Sequence, residues 1–187
     1  LVPTTLVPAA KIEGELVYES KNILLALEAK FPESPLLPAD PQENAIAHTL
    51  IEDAETNGVK ELGYKFSIGS SADDAELATL QASFEAKLDE LEQALAKYPG
   101  SYFLSTFSLV DIMYAPHLER QAASLPVYRD YHIKGNPRFP NLNTWLAAIN
   151  ERPAYNRVKT DAATINLLLR RLWGVEPIKN PLPLDPV

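Results

Sequence analysis

The sequence predicts a mostly α-helical protein in which two short strands and one helix precede a longer series of helices. After residue 41, apolar residues recur at steps of three and four, the spacing of a helix with one buried face. Short β-branched segments bounded by turn residues occur only near the start of the chain. With 187 residues, 46% of them hydrophobic, the chain is long and apolar enough to bury a sizeable core.

The strands are predicted at two short segments near the start. Thr4–Pro8 is β-branched and ends in proline, and Gly14–Tyr18 follows after a turn-rich spacer. Ser20 then stands as the N-cap of a helix that ends near Lys30. The apolar face of this helix carries Ile23, Leu24 and Leu27. Two strands alone form only a marginal hairpin, so this unit needs further partners.

A proline-rich stretch separates this unit from the later helices. Phe31–Pro41 contains four prolines in eleven residues, which stops the helix and predicts an extended linker. We therefore divide the chain into a partial first domain at residues 1–31, a linker at 32–41, an all-helical domain at 42–174 and an extended proline-rich tail at 175–187.

The first two helices of the helical domain have clear start signals. One begins at Pro41, a favoured first-turn residue, and is interrupted by Gly58 and Gly63, either as a kink or as an end. The other runs from about Asp74 to Tyr98. The apolar stripe of the second helix contains Leu77, Leu80, Phe84, Leu88, Leu91 and Leu95. We interpret the charged residues on its other faces as a solvated surface: Glu76, Glu85, Lys87, Asp89, Glu90, Glu92 and Lys97.

Three further helices are predicted from the same periodicity. They span Leu109 to about Ser124, Asn141 to Glu151 and Ala154 to Trp173. In the last of these the predicted stripe consists of Val158, Ala162, Ile165, Leu169 and Leu172. Trp145 and Trp173 are interpreted as core anchors.

Charge and composition argue against several classes of function. A formal net charge of -8 argues against nucleic-acid binding, which needs clustered lysine and arginine. The chain has no cysteine, so its residues carry no thiol chemistry and no thiolate metal site. We also expect no metal at His48, His117 or His132, because none has a partner at metal-ligand spacing.

The apolar runs are too short for a membrane span. The longest, Ile165–Leu169, ends at two arginines. The chain opens with Leu1, and its first residues resemble the middle of a folded unit more than a signal peptide. We therefore expect a front segment to be missing.

Two short motifs near the start of the chain are candidates for binding a ligand. A cis peptide bond is inexpensive before proline, so Val2-Pro3 is predicted to be cis and to turn an edge of backbone outward toward a peptide ligand. Glu19-Ser20 opens a helix whose first N–H groups bind a carboxylate, while Glu19 receives an ammonium group. Taken singly, the proline is more simply a turn residue and the serine a cap.

A third motif is structural. In Phe107–Ile112, the Ser108 hydroxyl is predicted to accept from the backbone of Asp111, and the Asp111 carboxylate to accept from the Ser108 N–H. Phe107 and Ile112 form the accompanying hydrophobic staple. We assign Ser108 and Asp111 to folding, as a helix cap.

Taken in order, these motifs resemble the glutathione transferase superfamily. The resemblance begins with a Val-Pro, a hairpin and a Glu-Ser pair opening a helix, and it continues through Phe31-Pro32 and Pro35–Pro38 to Phe107–Ile112. It implies that residues 1–31 are the C-terminal β-β-α half of a thioredoxin-like domain. The helical domain then corresponds to the family's C-terminal domain.

The resemblance also implies site residues. The backbone at Val2 and Pro3 would hold the cysteinyl part of glutathione, and Glu19 and Ser20 would hold its γ-glutamyl end. Tyr114 and Arg120 are candidates for lining a co-substrate pocket, although packing is the simpler interpretation of both. The family's catalytic Tyr, Ser or Cys lies before the Val-Pro, so we expect no catalytic residue in this chain.

Three functions follow from this resemblance. The first is transfer of glutathione, as substrate and without a metal, to a small apolar electrophile once the N-terminal segment is present. The second is a non-catalytic scaffold or subunit of a larger assembly, and the third is a carrier of apolar ligands. A homodimer is a further open alternative. We expect the cytoplasm, with plastid or mitochondrion as alternatives.

Overall fold

A computed structural model describes residues 7–56, 58–69 and 73–176 of the chain. Strands β1 (Ala9–Ile12) and β2 (Glu15–Tyr18) form an antiparallel hairpin in which Ala9 pairs with Tyr18. Glu13 and Gly14 both have positive φ, 52° and 94°, as a two-residue hairpin turn requires. The second strand lies where we predicted it. Most of the other predicted strand, Thr4–Pro8, lies outside the described residues, and Val7 and Pro8 are not in a strand. The partner of β2 is β1, in the predicted spacer, where the tight turn fixes the pairing register.

Eight helices follow in the described part of the chain, which confirms the predicted fold class of mostly α structure after a short β-β segment. Their bounds are α1 Ser20–Lys30, α2 Pro41–Thr56, α3 Val59–Ile68, α4 Asp74–Leu95, α5 Leu109–Tyr128, α6 Pro140–Glu151, α7 Pro153–Asn156 and α8 Ala162–Trp173. None of the described helices is both long and apolar enough to cross a membrane. The division into domains stays a prediction.

Helix α5 forms the centre of the core. It packs against α2, α3, α6 and α8, and α4 packs against α3 and α6. Trp145 on α6 is 0% exposed, which confirms it as a core anchor, and its ring meets Phe103 edge-on at 5.5 Å. Phe103 in turn stacks on Tyr114 of α5 at 4.8 Å. The aromatic cluster therefore joins α5 and α6.

The prediction of a solvated charged face on α4 holds for Glu76, Glu90 and Lys97, which are exposed, and is wrong for the buried Lys87. The half-buried carboxylates of this face contact other elements. Asp89 Oδ2 lies 2.6 Å from the Arg138 guanidinium, and Glu85 pairs with the same group. The Glu92 carboxylate accepts from the backbone N–H of Leu142 at 2.8 Å. It thereby caps the start of α6, which has no side-chain cap of its own among the described residues.

Lys87 on the same helix is buried and paired. Its Nζ lies 2.9 Å from Asp53 and 2.8 Å from Glu90. Asp53 also accepts a hydrogen bond from the Tyr114 hydroxyl at 2.8 Å. This network joins α2, α4 and α5, and burial of the charges is tolerated because each has an opposite partner.

The last predicted helix is broken in two. The chain leaves helical geometry at 157–161, and Val158 is 76% exposed. The Asp161 carboxylate accepts from the Thr164 N–H at 2.9 Å and starts α8 afresh. Trp173 is 55% exposed and stacks on Tyr64, so it is not the core anchor we predicted. The tail beyond residue 176 lies outside the described residues.

Candidate functional site

The start of α1 presents the predicted Glu19-Ser20 pair at the surface. Both residues are exposed. Ser20 is the first helical residue, so the N-cap is Glu19 and not Ser20 as we expected. The first helical hydrogen bond runs from Ile23 N to Glu19 O at 3.0 Å. The N–H groups of residues 20–22 therefore have no partner within the helix, and no side chain of the described residues caps them.

The backbone of Glu19 is strained. Its φ of 67° and ψ of 134° lie in a region that residues other than glycine rarely adopt. Such a conformation costs on the order of 1–3 kcal/mol and is concentrated at functional sites. Here it leaves the Glu19 carboxylate beside the positive end of the helix dipole without forming a cap.

A Val-Pro pair directly precedes the hairpin, but it is not the one that we singled out. Val2 and Pro3 lie outside the described residues. Val7–Pro8 immediately precedes β1, its peptide bond is cis, and Val7 is 90% exposed. The signal that identifies it in the sequence is its position directly before the strand that leads through the hairpin to Glu19.

The linker fixes α1 relative to the helical core. The Glu28 carboxylate on α1 accepts from the backbone N–H groups of Leu36 at 2.9 Å and Leu37 at 2.8 Å. The carbonyl of Leu36 accepts from the N–H of Leu109, the first residue of α5, at 3.1 Å. Hydrogen bonds through Leu36 therefore connect α1 to the start of α5.

A cleft of about 520 Å³ opens beside Leu36, between α5, α6, α7 and the loop that precedes α8. Its volume suits a small organic molecule. The floor is apolar and includes Leu36, Phe107, Ile112, Ala115, Ile149 and Ile165. Sequence periodicity could not reveal this cleft because its walls come from separate elements.

Arg120 lines this cleft and Tyr114 does not. The Tyr114 ring is 0% exposed, and its hydroxyl donates to Asp53 and to the carbonyl of Leu50 at 3.2 Å. Tyr114 is thus a packing residue of the core, because it faces α2 from the side of α5 opposite the cleft.

Arg152 also lines the cleft, and we did not predict this from the sequence. Its guanidinium lies 3.4 Å from the centre of the Phe107 ring, and its Nη1 donates to the Tyr102 hydroxyl at 3.4 Å. Tyr155 also lines the cleft, and burial is the main cause that raises the pKa of its hydroxyl. Tyr155 is therefore a hydrogen-bond donor at neutral pH.

The predicted capping box at Ser108 and Asp111 is present. The Asp111 carboxylate accepts from Ser108 N at 2.8 Å, and the Ser108 hydroxyl accepts from Val110 N at 3.2 Å. Asp111 also accepts from Trp145 Nε1 at 2.7 Å and from Phe103 N at 3.3 Å. Burial raises the pKa of Asp111, and these donors oppose the shift.

No group of three His, Cys, Asp or Glu side chains placed to hold a metal ion occurs in the residues that the structure describes. His48 and His132 are exposed, whereas His117 on α5 is half-buried. Its Nδ1 has no hydrogen-bond partner among the described residues. Burial, with smaller effects of Lys60 and Arg120, lowers the pKa of His117 to about 4.

We expect His117 to make the folded chain less stable in mild acid. A histidine in the unfolded chain titrates near ~6.5. Between this value and the folded pKa of about 4, the unfolded chain binds a proton that the folded chain does not, so stability is lost as the pH falls. From about pH 7.5 to about pH 5 the loss due to His117 is roughly 2 kcal/mol.

Urea unfolding at both pH values measures this effect. His117→Gln removes the titrating group, so the variant should lose about 2 kcal/mol less than the parent over the same interval. Equal losses in the two proteins would show that His117 does not stay neutral in the folded chain.

The chain is similar to proteins of one superfamily. Residues 74–148 match the family model described as the glutathione S-transferase C-terminal domain. The chain is 36% identical over 156 residues to Protein IN2-1 homolog A of Oryza sativa subsp. japonica, covering 83% of this chain and 60% of that protein. It is 31% identical over 162 residues to Glutathione S-transferase L1 of Arabidopsis thaliana, covering 86% of this chain and 63% of that protein.

A solved structure agrees with these matches. Glutathione transferase Omega 3C from Trametes versicolor superimposes with a TM-score of 0.70 at 25% identity, covering 86% of this chain and 70% of that one. The chain thus spans about 60% of the length of the two plant relatives.

Proposed function

Because the chain belongs to the glutathione transferase superfamily, we propose that the native protein containing it binds glutathione and transfers it to a small apolar electrophile. The observation that carries the proposal is the exposed Glu19-Ser20 pair, with Glu19 strained at the start of α1. Strained backbone of this kind persists only where the surrounding structure enforces it, and such residues cluster at functional sites.

The γ-glutamyl end of glutathione has one carboxylate and one ammonium group. The N–H groups and hydroxyl at Ser20 supply donors for the carboxylate, and the helix dipole favours its charge. The Glu19 carboxylate supplies the partner for the ammonium group. For the cysteinyl backbone we propose Val7, which immediately precedes β1, in the role that the resemblance gives to Val2.

The reaction joins the glutathione sulfur to an electrophilic carbon. The thiol proton goes to solvent, and the leaving group departs with its bonding electrons. The residues of this chain bind and orient: the start of α1 holds glutathione, and the α5–α7 cleft holds the electrophile. We assign the group that stabilises the thiolate to no residue of this chain.

Calorimetric titration of the native protein with glutathione tests the binding site. Ser20→Ala removes a charge-assisted contact, so the Kd for glutathione should rise at least about tenfold. Glu19→Gln should weaken binding to a similar extent. Glu13→Gln is the matched control, because Glu13 also has positive φ but pairs with Lys30 at 2.7 Å, away from the helix start. Glu13→Gln should leave the Kd unchanged.

Conjugation of 1-chloro-2,4-dinitrobenzene by the same samples tests the transfer. Turnover that falls with Ser20→Ala supports a transferase. Glutathione binding without turnover of any electrophile favours the scaffold alternative. Affinity that does not respond to Ser20 or Glu19 overturns the proposed site.

A further inference from the structure

The cleft combines an apolar floor with a rim of positive charge. Arg120, Arg152 and Lys159 all line it, in a chain whose formal net charge is -8. The carboxylates in the lining are Glu119 and Asp111. Whether the rim is positive therefore depends on what these two carboxylates bind.

Neither of the two carboxylates in the lining pairs with a cation of the rim. Glu119 Oε2 pairs with Lys134 at 3.1 Å, and its Oε1 accepts from the Asn150 amide. Asp111 is 0% exposed and accepts hydrogen bonds from residues of the α5 cap and from Trp145. Both carboxylates are thus committed to other donors.

The rim cations have no carboxylate partner among the residues that the structure describes. Arg152 contacts the Phe107 ring and the Tyr102 hydroxyl, and Lys159 Nζ donates to the neutral Asn150 Oδ1 at 3.0 Å. Arg120 is exposed and forms neither a hydrogen bond nor an ion pair within the described ranges. At least three positive groups therefore face the cleft.

The position of Arg152 strengthens this arrangement. The Arg152 guanidinium lies 3.4 Å over the centre of the Phe107 ring and uses Nη1 for the Tyr102 hydroxyl. The edge formed by its Nε and Nη2 N–H groups has no partner among the described residues and is available to a ligand. A planar carboxylate or a sulfonate matches that edge. The Tyr155 hydroxyl adds a neutral donor to the same lining.

We propose that this cleft selects a second substrate with an apolar, preferably aromatic, body and one carboxylate or sulfonate group. The apolar body lies on the floor beside Leu36 and Ile112, and the anion binds at Arg120 and Arg152. This inference rests on the proposed function insofar as the cleft is where the electrophile binds. It adds a charge requirement that an apolar electrophile alone does not have.

A pair of fluorescent probes isolates the charge requirement. 8-Anilinonaphthalene-1-sulfonate and N-phenyl-1-naphthylamine share an apolar body, and only the first carries a sulfonate. The native protein should bind the sulfonate at least about tenfold more tightly than the neutral probe. The double variant Arg120→Gln/Arg152→Gln should lose about tenfold or more in affinity for the sulfonate and keep its affinity for the neutral probe within about twofold.

Two further variants control the interpretation. Arg171→Gln removes an exposed arginine of α8 outside the cleft lining and should change neither affinity. Arg152→Lys keeps the charge but lacks the planar guanidinium edge, so its affinity for the sulfonate should fall by less than in the double variant. Circular dichroism confirms that each variant is folded.

Three outcomes would overturn the inference. They are equal affinity for the two probes, equal weakening of both probes in the double variant, and an Arg171→Gln effect as large as that of the double variant. The titration omits glutathione, so a failure here leaves the Ser20 test unaffected. Conversely, Ser20→Ala could leave the Kd for glutathione unchanged while the protein still binds the sulfonate probe more tightly than the neutral probe. In that case the proposed function fails and the charge selectivity of the cleft stands.

Discussion

We expect Asp111→Ala to lower the free energy of unfolding by about 4 kcal/mol. The carboxylate is 0% exposed and accepts hydrogen bonds from Ser108, Phe103 and Trp145. Alanine removes the helix cap and leaves these donors buried without a partner, each at a cost of about 1–3 kcal/mol. The loss is larger than for an ordinary helix cap because the same carboxylate joins α5 to α6 and to the segment before α5.

Asp161→Ala is the matched control. Asp161 also caps a helix, α8, but it is exposed, so its loss should cost only about 1 kcal/mol. Urea denaturation of both variants gives the comparison. Similar losses for Asp111→Ala and Asp161→Ala would show that the buried donors at Asp111 contribute little. Glutathione affinity of the folded fraction should be unchanged in both.

We expect Gly63→Ala to lower the free energy of unfolding by about 3 kcal/mol. A Cβ at Gly63 on α3 would lie 1.9 Å from Nε2 of Gln121 on α5. The Gln121 amide cannot move freely, because Nε2 donates to the carbonyl of Val59 at 2.5 Å in a buried position. The clash and the broken hydrogen bond exceed the roughly 1 kcal/mol by which alanine favours a helix over glycine.

A double-mutant cycle tests the origin of this loss. Gln121→Ala removes the clashing atoms, so adding it to Gly63→Ala should cost much less than the sum of the two single changes. Gly135→Ala is the control for backbone strain alone. Gly135 has φ of 76° with open space around it, and its replacement should cost about 1 kcal/mol. Additive losses at Gly63 and Gln121 would contradict a steric origin.

Local signals predicted much of the fold. The start of α2 at Pro41, the start of α4 at Asp74 and the capping box at Ser108 depend on residues within one helical turn, and all three agree with the structure. The break before α8 also had a local signal that we passed over. Asp161 followed by Thr164 offers an N-cap, and the apolar spacing that included Val158 was coincidental.

Contacts between distant residues could not be predicted in the same way. Arg138 pairs with Asp89 across 49 residues, and helical periodicity carries no information on such partners. The positive φ of Glu19 was equally hidden, since backbone preferences favour negative φ for glutamate. The Glu-Ser motif was therefore enough to choose the candidate site from the sequence. The backbone geometry of that site and the positive residues around the cleft became visible only in the three-dimensional structure.

The hydrogen bonds at residues 36 and 37 of the linker have a consequence for a reaction between two bound substrates. Glu28 in the last turn of α1 binds the backbone of Leu36 and Leu37, and Leu36, which lines the cleft, binds Leu109, so hydrogen bonds connect α1 to the cleft. If glutathione lies at one and the electrophile at the other, neither has to search for its partner once bound. Two molecules positioned in this way react as though each were present at a very high local concentration. In the proposed reaction, a proline-rich linker would thus contribute to rate by removing translational freedom.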